Sequence, residues 1–173
     1  MSNDLPGTLC WNPPGFRVPG FQAGFRGPVL LALDPGADQG WAFFGDDGVL
    51  IGCGLGRPQF PNGAKARVVV ERPMIYPGGR QKARPRDVIT LALRAGESAG
   101  LYAHMLGTVP EYFEPDEWKG GTLSKGAHHP RIWKRLTDSE GRIVSKNAGH
   151  LAMSKQHNVI DAIGIGLFAL GRL

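Results

Sequence analysis

Apolar positions fall into short unbroken runs between residues 28 and 71 and into a helical period after residue 87. Pro28 to Leu33 (PVLLAL) is a continuous apolar run that stops at Asp34-Pro35-Gly36, the pattern of a strand buried on both faces and closed by a turn. Gly40 to Phe44 (GWAFF) and Val49 to Leu55 (VLIGCGL) are separated by Asp46-Asp47-Gly48 and read as an antiparallel hairpin beside the first strand. Ala66 to Glu71 (ARVVVE) is another buried-type strand, stopped by Arg72-Pro73. Two strands therefore end in a carboxylate.

A loop from Pro73 to Arg86 leads into a helix that starts near Asp87, the expected N-cap, and runs to about Leu106. Gly96, Ala99, Gly100 and Ala103 put small side chains on it at helical spacing, which lets it approach the sheet closely or, failing that, another subunit. Val109 to Phe113 predicts a short strand, Pro130 to Leu136 a short helix, Ser139 to Gly149 a polar loop, and His157 to Leu170 a last helix. The expectation is one α/β domain over residues 28–173, a central mixed five-stranded sheet flanked by helices. Residues 1–27 precede it as an irregular arm rich in proline and glycine, with Trp11, Phe16, Phe21 and Phe25 interleaved.

Composition narrows the classes. The chain has 173 residues, 42% hydrophobic and 20% charged, ordinary for a globular domain and wrong for a disordered or collagen-like one. No apolar stretch is long enough to span a bilayer, and Met1 to Gly7 lacks the basic-then-apolar order of a signal peptide, so a cytoplasmic protein without membrane partners is expected. Cys10 and Cys53 form no CxxC pair, which argues against a zinc site or disulfide framework of cysteines. A net charge of +5 favours a polyanionic partner through phosphate contacts.

Three carboxylates stand in apolar settings: Asp34 and Glu71 at strand ends, Asp161 inside the last helix. Each is costly to bury unless paired or bound to metal. Neighbouring strands can bring Asp34 and Glu71 together, and a helix packed across the sheet can add Asp161. Clustered carboxylates repel, and a divalent cation relieves that repulsion. Oxygen ligands of this kind suit Mg²⁺ or Mn²⁺, and a pair of such ions serves in-line phosphodiester displacement. His157, one turn before Asp161, is a candidate fourth ligand, and Asn158, three residues before it, competes for that place. Arg72, Arg80, Lys82, Arg84 and Arg86 surround a ProGlyGly turn in the loop after Glu71, and flexible glycine among cations suits a phosphate backbone.

The segments LALDPGADQGWA (31 to 42), VVVERP (68 to 73) and HNVIDAIGIGL (157 to 167) resemble the successive acidic motifs of the RuvC family of Holliday junction resolvases, its phage-type members in particular. The resemblance implies an RNase H-like fold, a homodimer, and a crossover junction endodeoxyribonuclease that places paired nicks in a four-way DNA junction with two Mg²⁺ ions per site, Mn²⁺ substituting. It implies that Asp34 bridges the ions and that Glu71, His157 and Asp161 complete the set. The family's last two ligands are spaced by three residues, whereas His157 and Asp161 are four apart. The segment EPDEWKGGTLSK (114 to 125) is similar to the stretch where the family's lysines approach DNA, which makes Lys119 and Lys125 candidate phosphate contacts.

Asp-Pro-Gly also resembles the first turn of actin-like ATPases, but those duplicate the domain and need a glycine-rich phosphate loop that this chain lacks. Two alternatives stay open: a branched-DNA or RNA-processing nuclease of the same fold, and a nucleic-acid-binding module without activity. The second would be expected to have lost a carboxylate, and all three are present.

Overall fold

The structure is a computed structural model that describes residues 29–60, 64–74, 84–120 and 126–173. The expected arm over 1–27 and the cations Arg80, Lys82 and Lys125 lie outside the described residues.

Five strands, β1 (Val29–Asp34), β2 (Gly40–Phe44), β3 (Leu50–Leu55), β4 (Ala66–Glu71) and β5 (Glu111–Phe113), form one sheet in the order β3-β2-β1-β4-β5. β1 pairs parallel with β4 and β4 parallel with β5, while β2 runs antiparallel to both β1 and β3. The mixed five-stranded sheet flanked by helices that the sequence predicts is the one the chain forms. Its apolar runs are continuous because helices cover both faces. On one face Leu31, Leu33, Val68 and Val70 pack against Ala95, Ala99, Tyr102 and Leu106 of α1 (Pro85–Leu106). On the other, Leu30, Ala32 and Val69 pack against α5 (Met153–Ala169) through Val159, Ile163 and Leu167. The strand period of two then decides where the acids go. Asp34 follows Leu30 and Ala32, and Glu71 follows Val69, so both belong to the α5 face.

Three expectations are corrected. α1 begins at Pro85 rather than near Asp87: Arg84 is the N-cap residue, and Asp87 sits in the first turn, where its charge opposes the helix dipole favourably. Proline at the first helical position, with its φ already set, starts the helix upstream of the acid. The stripe of small residues divides, Ala99 and Ala103 facing the sheet while Gly96 and Gly100 lie on the exposed side, where nothing stands within 4 Å of an added Cβ. The supposed polar loop over 139–149 is a helix, α4 (Asp138–Ala148), opened by a reciprocal capping box between Thr137 and Glu140. Its outer face is polar, but Glu140, Val144 and Ala148 line a buried inner face one turn apart.

Glu140 secures that helix to the sheet. Its carboxylate accepts from the backbone N–H groups of Leu50 and Thr137 at 2.8 Å each and from the Arg172 guanidinium at 2.8 and 2.9 Å. Burial pushes its pKa up, but the donors outweigh it and hold the group at about 2. A carboxyl whose pKa is lowered by folding stabilises the fold above its ordinary pKa and loses that stabilisation as pH falls through the folded value. Arg172→Ala leaves the carboxylate buried without its cation and is expected to cost about 3 kcal/mol in urea unfolding at neutral pH. The difference from wild type should shrink as pH drops from 4.5 toward 2, where Glu140 takes up its proton. A difference that stays constant over that range would detach Arg172 from Glu140.

Candidate metal centre at the strand ends

β1 and β4 run parallel with Leu33 opposite Val70, so the residues that follow, Asp34 and Glu71, leave the sheet side by side at its carboxyl edge. α5 crosses that edge closely. A Cβ on Gly40, the partner of Asp34 in β2, would lie 1.9 Å from the carbonyl oxygen of Asn158, so only glycine lets the helix settle there. A Cβ on Gly164, one turn beyond Asp161 at the middle of α5, would lie 2.6 Å from the side chains of Ile132 and Trp118, so glycine lets those two residues pack against the helix. Two short helices, α2 (Pro115–Lys119) and α3 (His129–Trp133), fill the space between β5 and α5.

Lys119 joins these elements. Its ammonium is 2.9 Å from Glu71 Oε2 and 3.7 Å from Asp161 Oδ2. Burial pulls its pKa down, but the carboxylates outweigh it, Glu71 first, then Asp161, with Asp34 adding to them, and the net shift is upward. One cation is thus held in the field of all three acids. Glu71 is 9% exposed, and its pKa is raised because burial outweighs the pull of Lys119. Trp118, fully buried, donates its indole N–H to Glu71 Oε2 at 3.0 Å, and the lysine ammonium lies 4.6 Å from the Trp118 ring centroid.

Asp161 divides its two oxygens. Oδ2 faces Lys119, while Oδ1 lies 2.8 Å from His128 Nε2 and 2.7 Å from His129 Nε2. Burial pushes the Asp161 pKa up, but the two histidines and Lys119 bring it well below the usual carboxylate range. An ionised carboxylate only accepts, so each Nε2 carries the proton that it donates. One donor atom from each of His128, His129 and Asp161 lies within 4.8 Å of the others, a group able to hold a metal ion.

His157 precedes Asp161 by one turn of α5, with its Nδ1 3.3 Å from His129 Nδ1. The Asn158 amide donates to the Asp38 carbonyl at 2.6 Å, tying α5 to the turn after β1. Arg72 pairs with Glu114, and Arg84 and Arg86 are exposed around the start of α1. Lys119, read from the sequence as a phosphate contact, sits among the carboxylates, 15% exposed.

Sequence reading missed His128, His129 and Trp118. The signal for the first two was present as adjacent histidines before Pro130, residue types that ligate metal or orient carboxylates. Trp118 carried no comparable signal, because a tryptophan beside a lysine reads as ordinary amphipathic packing.

No protein-family model and no curated protein matches the chain. Among solved structures it is similar to a T. thermophilus RuvC in complex with a Holliday junction substrate, at 16% identity and a TM-score of 0.46, over 84% of this chain and 97% of that one. A second Thermus thermophilus RuvC structure is similar at 19% identity and a TM-score of 0.37, over 83% of this chain and 97% of the other.

Proposed function

We propose that the chain is a metal-dependent endodeoxyribonuclease that cuts branched DNA, four-way junctions in particular, by paired nicks. The observation that carries this reading is the single ammonium of Lys119 held by Glu71, Asp161 and the field of Asp34. Three acids gathered at one edge of a sheet need cationic charge, and the lysine stands where it is needed. The donor set fits a hard cation: carboxylate oxygens from three elements, two of them neighbouring strand ends.

Asp34, Glu71 and Asp161 would hold Mg²⁺, with Mn²⁺ substituting and His157 or Asn158 adjacent on α5. When bound, a pair of such ions supplies an activated water and charge stabilisation for in-line displacement at phosphorus. The chain's own groups prepare the site. Trp118 and Lys119 keep Glu71 oriented, and the histidine pair keeps Asp161 ionised. Arg72, Arg84 and Arg86, together with Arg80, Lys82 and Lys125, supply the cations for the phosphate backbone, in keeping with the net charge of +5.

Paired nicks need two sites held at a fixed separation, and the homodimer implied by the family resemblance supplies them. The outer face of α1 suits that contact. Ile89 and Leu93 are 58% and 70% exposed, and Gly96 and Gly100 continue the same stripe as an open notch. Leu93→Glu should convert a dimer into a monomer in analytical ultracentrifugation and reduce paired nicking to single nicks. A Leu93→Glu protein that sediments as wild type would remove α1 from the contact.

The substrate is tested by offering one protein a four-way junction, a flap, linear duplex and an RNA–DNA hybrid of matched sequence. Preferential cutting of the junction at symmetric positions is the expected result. Preference for the flap or the hybrid would move the chain to a general branched-DNA or RNA-processing nuclease.

A further inference from the structure

The two oxygens of Asp161 serve different neighbours, Oδ2 the Lys119 ammonium and Oδ1 a set of ring nitrogens. Two imidazoles converge on that one oxygen, His128 Nε2 at 2.8 Å and His129 Nε2 at 2.7 Å. Both rings are buried, and they come from adjacent residues where α3 begins, so their approach is set by a short rigid element. A third histidine backs the second: His157 Nδ1 lies 3.3 Å from His129 Nδ1. Two nitrogen donors and one carboxylate, each able to place an atom within 4.8 Å of the others, make a set that differs in kind from the oxygen cluster of Asp34 and Glu71.

We propose that His128, His129 and Asp161 form a binding site for a borderline first-row dication of the zinc type. Ligand chemistry carries the choice of ion. Imidazole nitrogen is a poor partner for Mg²⁺, which prefers oxygen and keeps its water, whereas two histidines and one carboxylate are a common zinc-binding set. Binding replaces the proton on each Nε2, so the tautomer shifts to Nδ1–H. His129 Nδ1–H then donates to His157 Nδ1, whose own proton moves to Nε2, and this is the outer partner that metal-bound histidines ordinarily have. His157 thereby acquires a role behind the ligands rather than among them. The site shares Asp161 with the nuclease reading but does not rest on it: the zinc site stands or falls on Zn²⁺ binding, whereas that reading stands or falls on cleavage in Mg²⁺.

The test is calorimetric titration of metal-stripped, full-length protein with Zn²⁺ in the presence of excess Mg²⁺, followed by substitution with Co²⁺ and a visible spectrum. Wild type should bind one Zn²⁺ per chain that Mg²⁺ does not displace, and the Co²⁺ form should show the visible absorption of a nitrogen-ligated ion. His129→Ala and His128→Ala should each weaken Zn²⁺ binding by about 100-fold or more, and His157→Ala by about 10-fold. Circular dichroism melts of each variant separate lost ligands from lost fold, and the wild-type spectrum does not depend on any variant. Zn²⁺ that Mg²⁺ displaces, a Co²⁺ form without visible absorption, or Zn²⁺ affinity unchanged in folded His128→Ala and His129→Ala proteins would each overturn the proposal. Cleavage of junction DNA in Mg²⁺ alone is measured on the same wild-type sample, so a failure of zinc binding is told apart from a failure of the nuclease reading.

Discussion

Asp34→Asn is expected to lower the cleavage rate by on the order of 10³-fold or more while leaving junction binding at or above the wild-type level. The substitution keeps the shape of the side chain and removes its charge. Asp34 ends the central strand, beside Glu71 and opposite Gly40, so an amide there leaves the sheet and the approach of α5 unchanged. What changes is the charge available for a hard cation, and with it the repulsion felt by an incoming phosphate. Affinity therefore holds or rises while chemistry fails. Cleavage of a labelled junction under single-turnover conditions, paired with a binding isotherm, checks both halves. A variant that cuts at the wild-type rate in Mg²⁺ would remove the first strand from the site.

Lys119→Met is the second large effect, and its sign depends on the metal. The ammonium touches Glu71 and approaches Asp161, and methionine keeps the apolar stem against Trp118 without the charge. In metal-free solution buried Glu71 and half-buried Asp161 lose their compensating cation, at a cost of about 3 kcal/mol. For a domain of this size that lowers the melting temperature by roughly 6–12 °C. Mg²⁺ should return most of the loss, because the ion supplies the charge that the lysine did, so the melting temperature of the variant becomes far more sensitive to Mg²⁺ than that of wild type. Scanning calorimetry of both proteins with EDTA and with Mg²⁺ makes the comparison. Equal sensitivity to Mg²⁺ would show that Lys119 and the metal do not share a site.

The carboxylates were legible because two simple periods placed them. Apolar runs marked β1 and β4 as strands buried on both faces, and alternation by two sends Asp34 and Glu71 to the same side as a helix that carries Asp161. Local patterns fix such features, and the fold class followed from them. The histidine pair was illegible for the opposite reason. His128 and His129 reach Asp161 only because α3 packs against α5 through Ile132 and Gly164, a contact between segments that no local period announces. α4 was misread because its burial is unusual: the residue turned inward next to its start is Glu140, which looks solvated until Arg172, at the far end of the chain, is brought beside it. Thr137 and Glu140 spell a capping box, and that signal outweighs the polarity of the residues after it. Lys119 was read as a surface cation reaching for phosphate, because sequence shows a lysine's charge but not which carboxylates enclose it.

The central claim is that the acids at the ends of β1 and β4 and in α5 form a metal-dependent nuclease centre. Its most direct measurement is the cutting of a labelled four-way junction by metal-stripped protein as Mg²⁺ is added back. The account predicts no product in EDTA and a rate that rises with Mg²⁺ to a plateau, with Mn²⁺ supporting the same symmetric nicks. Junction binding without cleavage in either ion, by folded wild-type protein, would contradict it and leave a nucleic-acid-binding module in its place.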